Sequence, residues 1–283
     1  MTDAVAGVAR AAPWWRAHAH LLPLLDAPDR RAALDAQARA RELRSGGDAP
    51  LRFVGADAAG ATPYEAHIHA TGAVPTRDNA HDLFNALMWL ALPQFKRSLN
   101  ALQARALAAR PASATPAGRG PTRDAATLLD ENGLLLACGD AQVATALARH
   151  DWHTAFVARR AAWGTQVQGL VCGHALLDKL RNPYKAVTAH ALVIACTPPV
   201  DPDALRATLD EAAARRLAGA PLQPRDLQPV PVLGIPGWWA DNARAEFYDD
   251  RAVFRPARGA SPGARVAATR AVEPFRTRAE SHA

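Results

Sequence analysis

Apolar residues recur at helical spacing along much of the chain, and they predict a mostly helical protein. The longest such stretch covers residues 81–108. It predicts a helix that Pro93 kinks or divides in two, because a proline inside a helix removes a backbone hydrogen bond and clashes with the preceding turn. Further predicted helices open at Pro13 and at Asp201, and others cover residues 29–43, 141–150, 152–163 and 174–180.

Short apolar or alternating runs predict strands over residues 51–54, 64–70, 166–172 and 191–196. The dipeptide Asn132-Gly133 predicts a hairpin over residues 127–138, because Asn-Gly supplies the positive φ angles of a tight turn. The order of elements shows neither regular βαβ alternation nor a repeat period. The sequence therefore predicts an α+β fold, a single mostly helical domain over residues 1–256 with short strands and a hairpin.

Composition supports a packed core, since hydrophobic residues make up 49% of the chain and charged residues 21%. The net charge of +6 suggests an anionic partner, either a small molecule or nucleic acid. Because almost all the basic residues are arginine and alanine is abundant, a compositional bias explains the charge equally well. Arginines spaced among Pro, Gly and Ala also predict a disordered, flexible basic tail over residues 257–283.

The 3 cysteines, Cys138, Cys172 and Cys196, are widely spaced and form no C-x-x-C pair. They therefore favour a reducing compartment over a disulfide framework or a thiolate zinc site. No leader-like start and no apolar run of membrane-spanning length is present, so we expect a cytoplasmic protein without membrane insertion. The fingerprints of nucleotide binding, of a serine nucleophile elbow and of H-E-x-x-H metalloproteases are also absent.

The residues whose side chains could best bind or catalyse lie on one face of the predicted helix that begins near His81. On a helical wheel His81, Asp82, Asn85 and Trp89 share a polar arc, and apolar residues fill the rest. His81 could transfer protons, Asp82 could orient it or ligate a cation, and Asn85 could position a ligand, which makes these three the catalytic candidates. The competing interpretation is structural: Asn79 caps the helix, Asp82 complements its dipole and His81 is a half-buried polar residue.

Candidates for substrate binding and metal ligation lie around this helix. Arg77, just before it, could clamp an anion, while Asn79, Trp89 and His174 could contact substrate, although an isolated histidine such as His174 is more often structural. The metal candidates are Glu65, His81, Asp82 and Asp130. Two local alternatives stay open: Glu65, His67 and His69 would share one face of the predicted strand, and Asp130 and Glu131 would be solvated residues at a hairpin tip.

Several segments resemble the proteobacterial domain-of-unknown-function family 3025. The resemblance rests on Tyr64-Glu65, on Gly72-x-Val74-Pro75-Thr76-Arg77-x-Asn79-x-His81-Asp82-Leu83-Phe84-Asn85-Ala86-Leu87-x-Trp89, on Pro93-x-x-Lys96-x-x-Leu99-Asn100, and on the regions 171–176, 233–238 and 247–256. It covers most of the chain, which supports one domain, and it implies a site but no activity. It adds Lys96 to the substrate-binding candidates and leaves His67 and His69 outside the pattern. A fainter similarity to ββα-metal nucleases is weakened by the helical position of His81.

Two hypotheses follow. In the first, the protein is a hydrolase-like enzyme, assisted by a divalent metal, that acts on a phosphate-bearing or other anionic substrate at the His81, Asp82 and Asn85 cluster. In the second, it is a non-catalytic ligand- or partner-binding protein that uses the same cleft with aromatic anchors, namely Trp89, Trp238 and Trp239.

Overall fold

The computed structural model describes residues 4–109 and 120–257. Helices dominate these residues, which confirms the mostly helical α+β fold. The α-helices are α1 Arg30–Ala40, α2 Tyr64–Thr71, α3 Ala80–Ala91, α4 Pro93–Ala108, α5 Pro121–Asn132, α6 Ala141–Ala148, α7 His174–Lys179 and α8 Pro202–Ala218. A long 3₁₀ helix, Pro13–Asp26, precedes them. The strands are β1 Arg52–Val54, β2 Ala73–Pro75, β3 Gly133–Cys138, β4 Val167–Val171, β5 Thr188–Ile194 and β6 Gln228–Pro231.

The strands form a mixed sheet of four and a smaller parallel pair. In the larger sheet the order is β4-β3-β5-β6, with β3 parallel to β5 and antiparallel to β4. Every residue of β3 is buried, because helices cover this central strand on its faces and neighbouring strands pair with both of its edges. The second sheet pairs β1 with β2 in parallel. Neither β2 nor β6 is predicted from the sequence, since both are short and end in proline.

Pro93 separates α3 from α4, as the sequence predicts. It occupies the first turn of α4, where a missing backbone N–H costs nothing. The free amides of that turn are capped from another helix: the Asp210 carboxylate on α8 accepts hydrogen bonds from Gln94 N at 3.3 Å and from Phe95 N at 2.8 Å. The break turns the polar face of α3 toward the first turns of α4.

Two local predictions are wrong. Residues 64–70 form helix α2, which starts after Pro63 and ends at Gly72 with a φ of +69°. Only Ile68 of this helix is buried, so the short run carries too few apolar positions to distinguish a period of two from a helical period. Residues 127–138 form no hairpin: α5 runs directly into β3, and Gly133 has a φ of −76°. Pro121 in the first turn of α5 is the local signal that agrees with the structure, whereas the Asn-Gly dipeptide is misleading here.

The predicted basic tail over residues 257–283 lies, apart from Ala257, outside the described residues. Among the helices that the structure does describe, none is long and apolar enough to cross a membrane.

Candidate functional site

A close backbone crossing brings the end of α5 against the start of α7. The Gly133 carbonyl accepts hydrogen bonds from the amides of Cys172 and Gly173, both at 3.0 Å. A β-carbon on Gly173 would lie 2.2 Å from the Gly133 nitrogen, and one on Gly133 would lie 2.0 Å from the Leu129 carbonyl oxygen. Only glycine fits at either position. The crossing places His174, the first residue of α7, beside the last residues of α5.

Helix α3 packs against α7 and adds His81 to this junction. The Nε2 atoms of His81 and His174 lie 3.2 Å apart. The Glu131 Oε2 atom lies 3.5 Å from His174 Nε2, and one potential ligand atom from each of the three residues lies within 4.8 Å of the others. We call His81, Glu131 and His174 the His–Glu cluster. Two nitrogen donors and one carboxylate oxygen at this spacing form a potential metal site.

Burial sets the protonation of the His–Glu cluster. It lowers the pKa of His174 to about 4, helped by the positive charge of Lys96 and opposed by Asp130. His174 is therefore uncharged at neutral pH, which is the form of imidazole that binds metals. Burial and the neighbouring Asp130 both raise the pKa of Glu131. A cation bound between these groups would reverse that shift, because it would favour the ionised carboxylate.

A chain of hydrogen-bonded polar groups, buried except for Tyr64, lies next to the His–Glu cluster, and we call Tyr64, Asn85, Lys96 and Asp130 the Lys96 network. The Lys96 ammonium donates hydrogen bonds to Asp130 Oδ1 at 2.5 Å and to Asn85 Oδ1 at 2.8 Å. The Asn85 amide donates in turn to the Tyr64 hydroxyl at 2.9 Å. Lys96 also lies over the ring of Trp89, 5.4 Å from its centroid. The charge of the buried lysine is thus neutralised by the Asp130 carboxylate and further stabilised by the Asn85 amide and the face of the Trp89 ring.

Charges in the Lys96 network and the His–Glu cluster act on one another. Burial alone would raise the pKa of Asp130, but the charge and hydrogen bond of Lys96, joined by His174 once it is protonated at low pH, outweigh it and hold this pKa below its ordinary value. Burial, followed by the charge of Asp130, raises the pKa of the neighbouring Glu65 to about 7. Asn100 fixes Glu65 by a 2.7 Å hydrogen bond from its amide nitrogen. The site therefore contains a carboxylic acid that can exchange a proton near neutrality.

The rim of the site is formed by the turn before α3. The Asn79 side chain accepts a hydrogen bond from Asp82 N at 2.9 Å, so Asn79 caps the helix. The Asp82 carboxylate pairs with the Arg77 guanidinium at 2.9 Å and accepts the Arg77 amide at 2.8 Å. This geometry agrees with the structural interpretation of Asn79 and Asp82. An open groove is lined by Arg77, Asp78 and Asn79, by Asp178 and Arg181 of the α7 region, and by His81 of the His–Glu cluster.

The structure brings many of the predicted site residues together, but with different partners. His81 contacts His174, and Lys96 joins Asn85 to Asp130. Three of the four metal candidates are already engaged by other groups: Glu65 by Asn100, Asp82 by Arg77 and Asp130 by Lys96. Sequence reasoning assigned Glu131 to a solvated turn because it placed a hairpin there, and it gave no role to Tyr64. Correct assignment of α5 would have put Glu131 at a helix end next to Asp130.

The remaining candidates lie apart from the cluster. Since α2 is a helix, His67 lies 3.5 Å from Thr71 and His69 faces Gly47, so they share no strand face with Glu65. Trp89 is buried under Lys96. Trp238 packs on Trp14, with ring centroids 6.3 Å apart, and lines a different groove.

Residues 51–258 match a family described as "Protein of unknown function (DUF3025)". This match covers more than half of the chain and includes every residue of the His–Glu cluster and the Lys96 network, so the chain belongs to that family. No curated protein and no solved structure matches it.

Proposed function

We propose that this member of the DUF3025 family binds a divalent transition metal, zinc in preference, at the His–Glu cluster and uses it to hydrolyse a small anionic substrate. The observation that carries the proposal is the spacing of His81, Glu131 and His174. It rests on groups from three separate elements, α3, α5 and α7, that the fold brings to one point.

The spacing supports a tetrahedral metal over a chance contact. Ligands bonded at about 2.05 Å in tetrahedral geometry are about 3.3 Å apart. The separations of 3.2 Å between the two Nε2 atoms and 3.5 Å between His174 Nε2 and Glu131 Oε2 bracket that value. Two histidines and one glutamate are also a common ligand set of catalytic zinc, in which the fourth position holds water. The metal would supply a water of lowered pKa as the nucleophile.

The charges around the site support an anionic substrate. Lys96 and Asp130 neutralise each other, and His174 is uncharged, which leaves the Glu131 carboxylate as the ligand charge. A divalent cation would give the centre about one net positive charge, and an anionic group would complete the balance. Glu65, with a pKa of about 7, would accept or return the proton that hydrolysis moves. Arg77, 66% exposed at the rim, would guide the anion in.

Metal binding is the first test. We expect the purified wild type to bind about one equivalent of Zn²⁺ or Co²⁺ in calorimetric titration, with the visible absorption of a tetrahedral cobalt complex. His81→Ala, His174→Ala and Glu131→Gln should each weaken binding by roughly 100-fold or more. His190→Ala is the matched control, because this half-buried histidine on β5 belongs to no part of the cluster. Equal affinity in all four variants would contradict the site.

Turnover is the second test, run on the zinc-loaded enzyme with phosphate monoesters, phosphate diesters and carboxylic esters. Hydrolysis that is lost in Glu131→Gln and retained in His190→Ala would support the enzyme. Stoichiometric zinc without turnover of any class would favour the non-catalytic alternative. That alternative has less structural support, because Trp89 and Trp238, two of the anchors it names, lie under Lys96 and in another groove.

The proposal also includes the cytoplasm as the location. The cysteines Cys138, Cys172 and Cys196 are all free in the described structure, and a reducing compartment keeps thiols in that state.

A further inference from the structure

We infer that the hydroxyl of Tyr64 is the hydrogen-bond donor that this site presents to an oxyanion, such as a phosphate or carboxylate group. The inference rests on the proposed function, because it places the ligand at the His–Glu cluster. It assigns a ligand-contacting role to Tyr64, a residue that is 39% exposed.

Lys96 determines the orientation of the Asn85 amide. A lysine ammonium has three donors and no acceptor, so the atom of Asn85 that faces it must be the carbonyl oxygen. The Lys96 Nζ atom lies 2.8 Å from that oxygen. The amide nitrogen of Asn85 therefore points the other way, toward the Tyr64 hydroxyl at 2.9 Å. Lys96 thus fixes which side of Asn85 faces Tyr64.

The proton of the Tyr64 hydroxyl is free to be donated to a ligand. Because Asn85 Nδ2 can only donate, the Tyr64 oxygen accepts in this hydrogen bond, and its own proton must point elsewhere. Across residues 4–109 and 120–257, no acceptor receives that proton. Burial of the hydroxyl and the charges of Glu65 and Asp130 raise the pKa of Tyr64, so the group keeps its proton at neutral pH and stays a donor.

The Tyr64 hydroxyl is held near the face of α3 that carries His81. Asn85 follows His81 by one turn of α3, and side chains at this spacing have β-carbons about 5–6 Å apart on the same face. The Asn85 amide therefore holds the Tyr64 hydroxyl on the side of α3 that carries His81. The inferred oxyanion lies along this side of α3, with one oxygen toward the His–Glu cluster and another toward the hydroxyl. The Lys96 ammonium is committed to Asp130 and Asn85, so it is a poorer donor for this purpose.

The experiment compares Tyr64→Phe with Tyr184→Phe. Tyr184 is a matched control because it is an exposed tyrosine, with 54% of the residue accessible. Inorganic phosphate and acetate are titrated calorimetrically into each protein with and without bound zinc. We expect Tyr64→Phe to weaken phosphate binding by about 10-fold or more, since a hydrogen bond to a charged group is lost. Its zinc affinity should equal that of the wild type, and Tyr184→Phe should change neither quantity. Equal weakening for acetate would indicate a general oxyanion site, and an effect on phosphate alone a phosphate site.

Two results separate the inference from the proposed function. If the wild type binds zinc and phosphate, and Tyr64→Phe binds both equally well, the role of Tyr64 is wrong and the metal site stands. If the wild type binds no zinc, the proposed function fails, and phosphate binding by the metal-free proteins still tests the hydroxyl. Absence of phosphate and acetate binding to the wild type in both states would overturn the inference.

Discussion

Two tyrosine–asparagine pairs in this protein use the same groups differently. Asn242 is fully buried and donates hydrogen bonds to the carbonyl oxygens of Leu233, at 2.8 Å, and Ile235, at 2.7 Å. Its partner Tyr248 donates its hydroxyl proton to the Gly234 carbonyl at 2.8 Å. In the Lys96 network, by contrast, Asn85 donates to Tyr64, whose proton reaches no acceptor among the described residues.

The comparison shows how saturation of hydrogen bonds separates a structural network from a candidate site. The Asn242 pair ties backbone carbonyls together, and Arg160 fills the remaining asparagine oxygen at 3.2 Å. A network of this kind has no donor left for a ligand. The Lys96 network contains a buried ion pair, which is costly to desolvate, and a donor proton that no described protein group accepts. Both networks contain a tyrosine and an asparagine, so residue type does not distinguish them. The number of polar groups that have a hydrogen-bond partner does.

The largest expected effect is on the buried ion pair. Lys96→Met should destabilise the protein by about 3–5 kcal/mol, because it leaves Asp130 buried without its cation. The double variant Lys96→Met/Asp130→Asn should regain a large part of that loss, since the stranded charge is removed. Urea unfolding followed by circular dichroism measures both. A double variant no more stable than the single one would mean that the pair is not the source of the cost.

Acid should unfold the protein through the histidine of the site. His174 has a folded pKa of about 4 against 6.5 for the free side chain. Between these values the unfolded state binds more protons, so stability is full above about pH 6.5 and falls as the pH drops toward 4. The share of His174 is on the order of 3 kcal/mol by pH 4. His174→Gln should reduce the pH dependence of the urea midpoint. The dependence that remains is due to the buried His18, whose pKa burial also lowers to about 4, and the exposed His153→Gln should leave the dependence unchanged.

Loss of the saturated asparagine should be costly and purely structural. Asn242→Ala removes the hydrogen bonds that the side chain makes to the carbonyls of Leu233 and Ile235 and to the Arg160 guanidinium, and we expect a loss of about 2–3 kcal/mol. The exposed Asn182→Ala is the control. Zinc affinity should be equal to that of the wild type once the protein is folded. A change in zinc affinity without a change in stability would contradict the division between the two networks.

The smallest effect concerns the two tyrosines. Tyr248→Phe removes a hydrogen bond to a buried carbonyl and should cost about 1–2 kcal/mol. Tyr64→Phe removes the hydroxyl oxygen that accepts the Asn85 amide N–H, but Tyr64 is 39% exposed and water can replace the lost partner, so the unfolding free energy should fall by less than about 1 kcal/mol. The two urea midpoints measure the difference directly. Equal costs would show that the Tyr64 hydroxyl is as important to the folded structure as the Tyr248 hydroxyl.

Local signals predict the parts of the site that lie within one element. Pro93 marks the break between α3 and α4, and the position of Asn79 before His81 marks a helix start, because both effects act within a few residues. The pairing of His81 with His174 joins residues 93 positions apart and depends on how α3 packs against α7. No local pattern contains that information. Glu131 was missed for a related reason, since the Asn-Gly turn signal outweighed the helical start at Pro121.

The Gly133–Gly173 crossing has a further consequence for the entropy of ligand binding. Glu131 and His174 are held by backbone that packs within van der Waals contact, so their approach is fixed as the chain folds. A ligand that joins them need not order a loop, and less conformational entropy is lost on binding. A substitution such as Gly173→Ala would push α5 and α7 apart and weaken binding without removing a ligand atom. Preorganisation here depends on two residues that have no side chain at all.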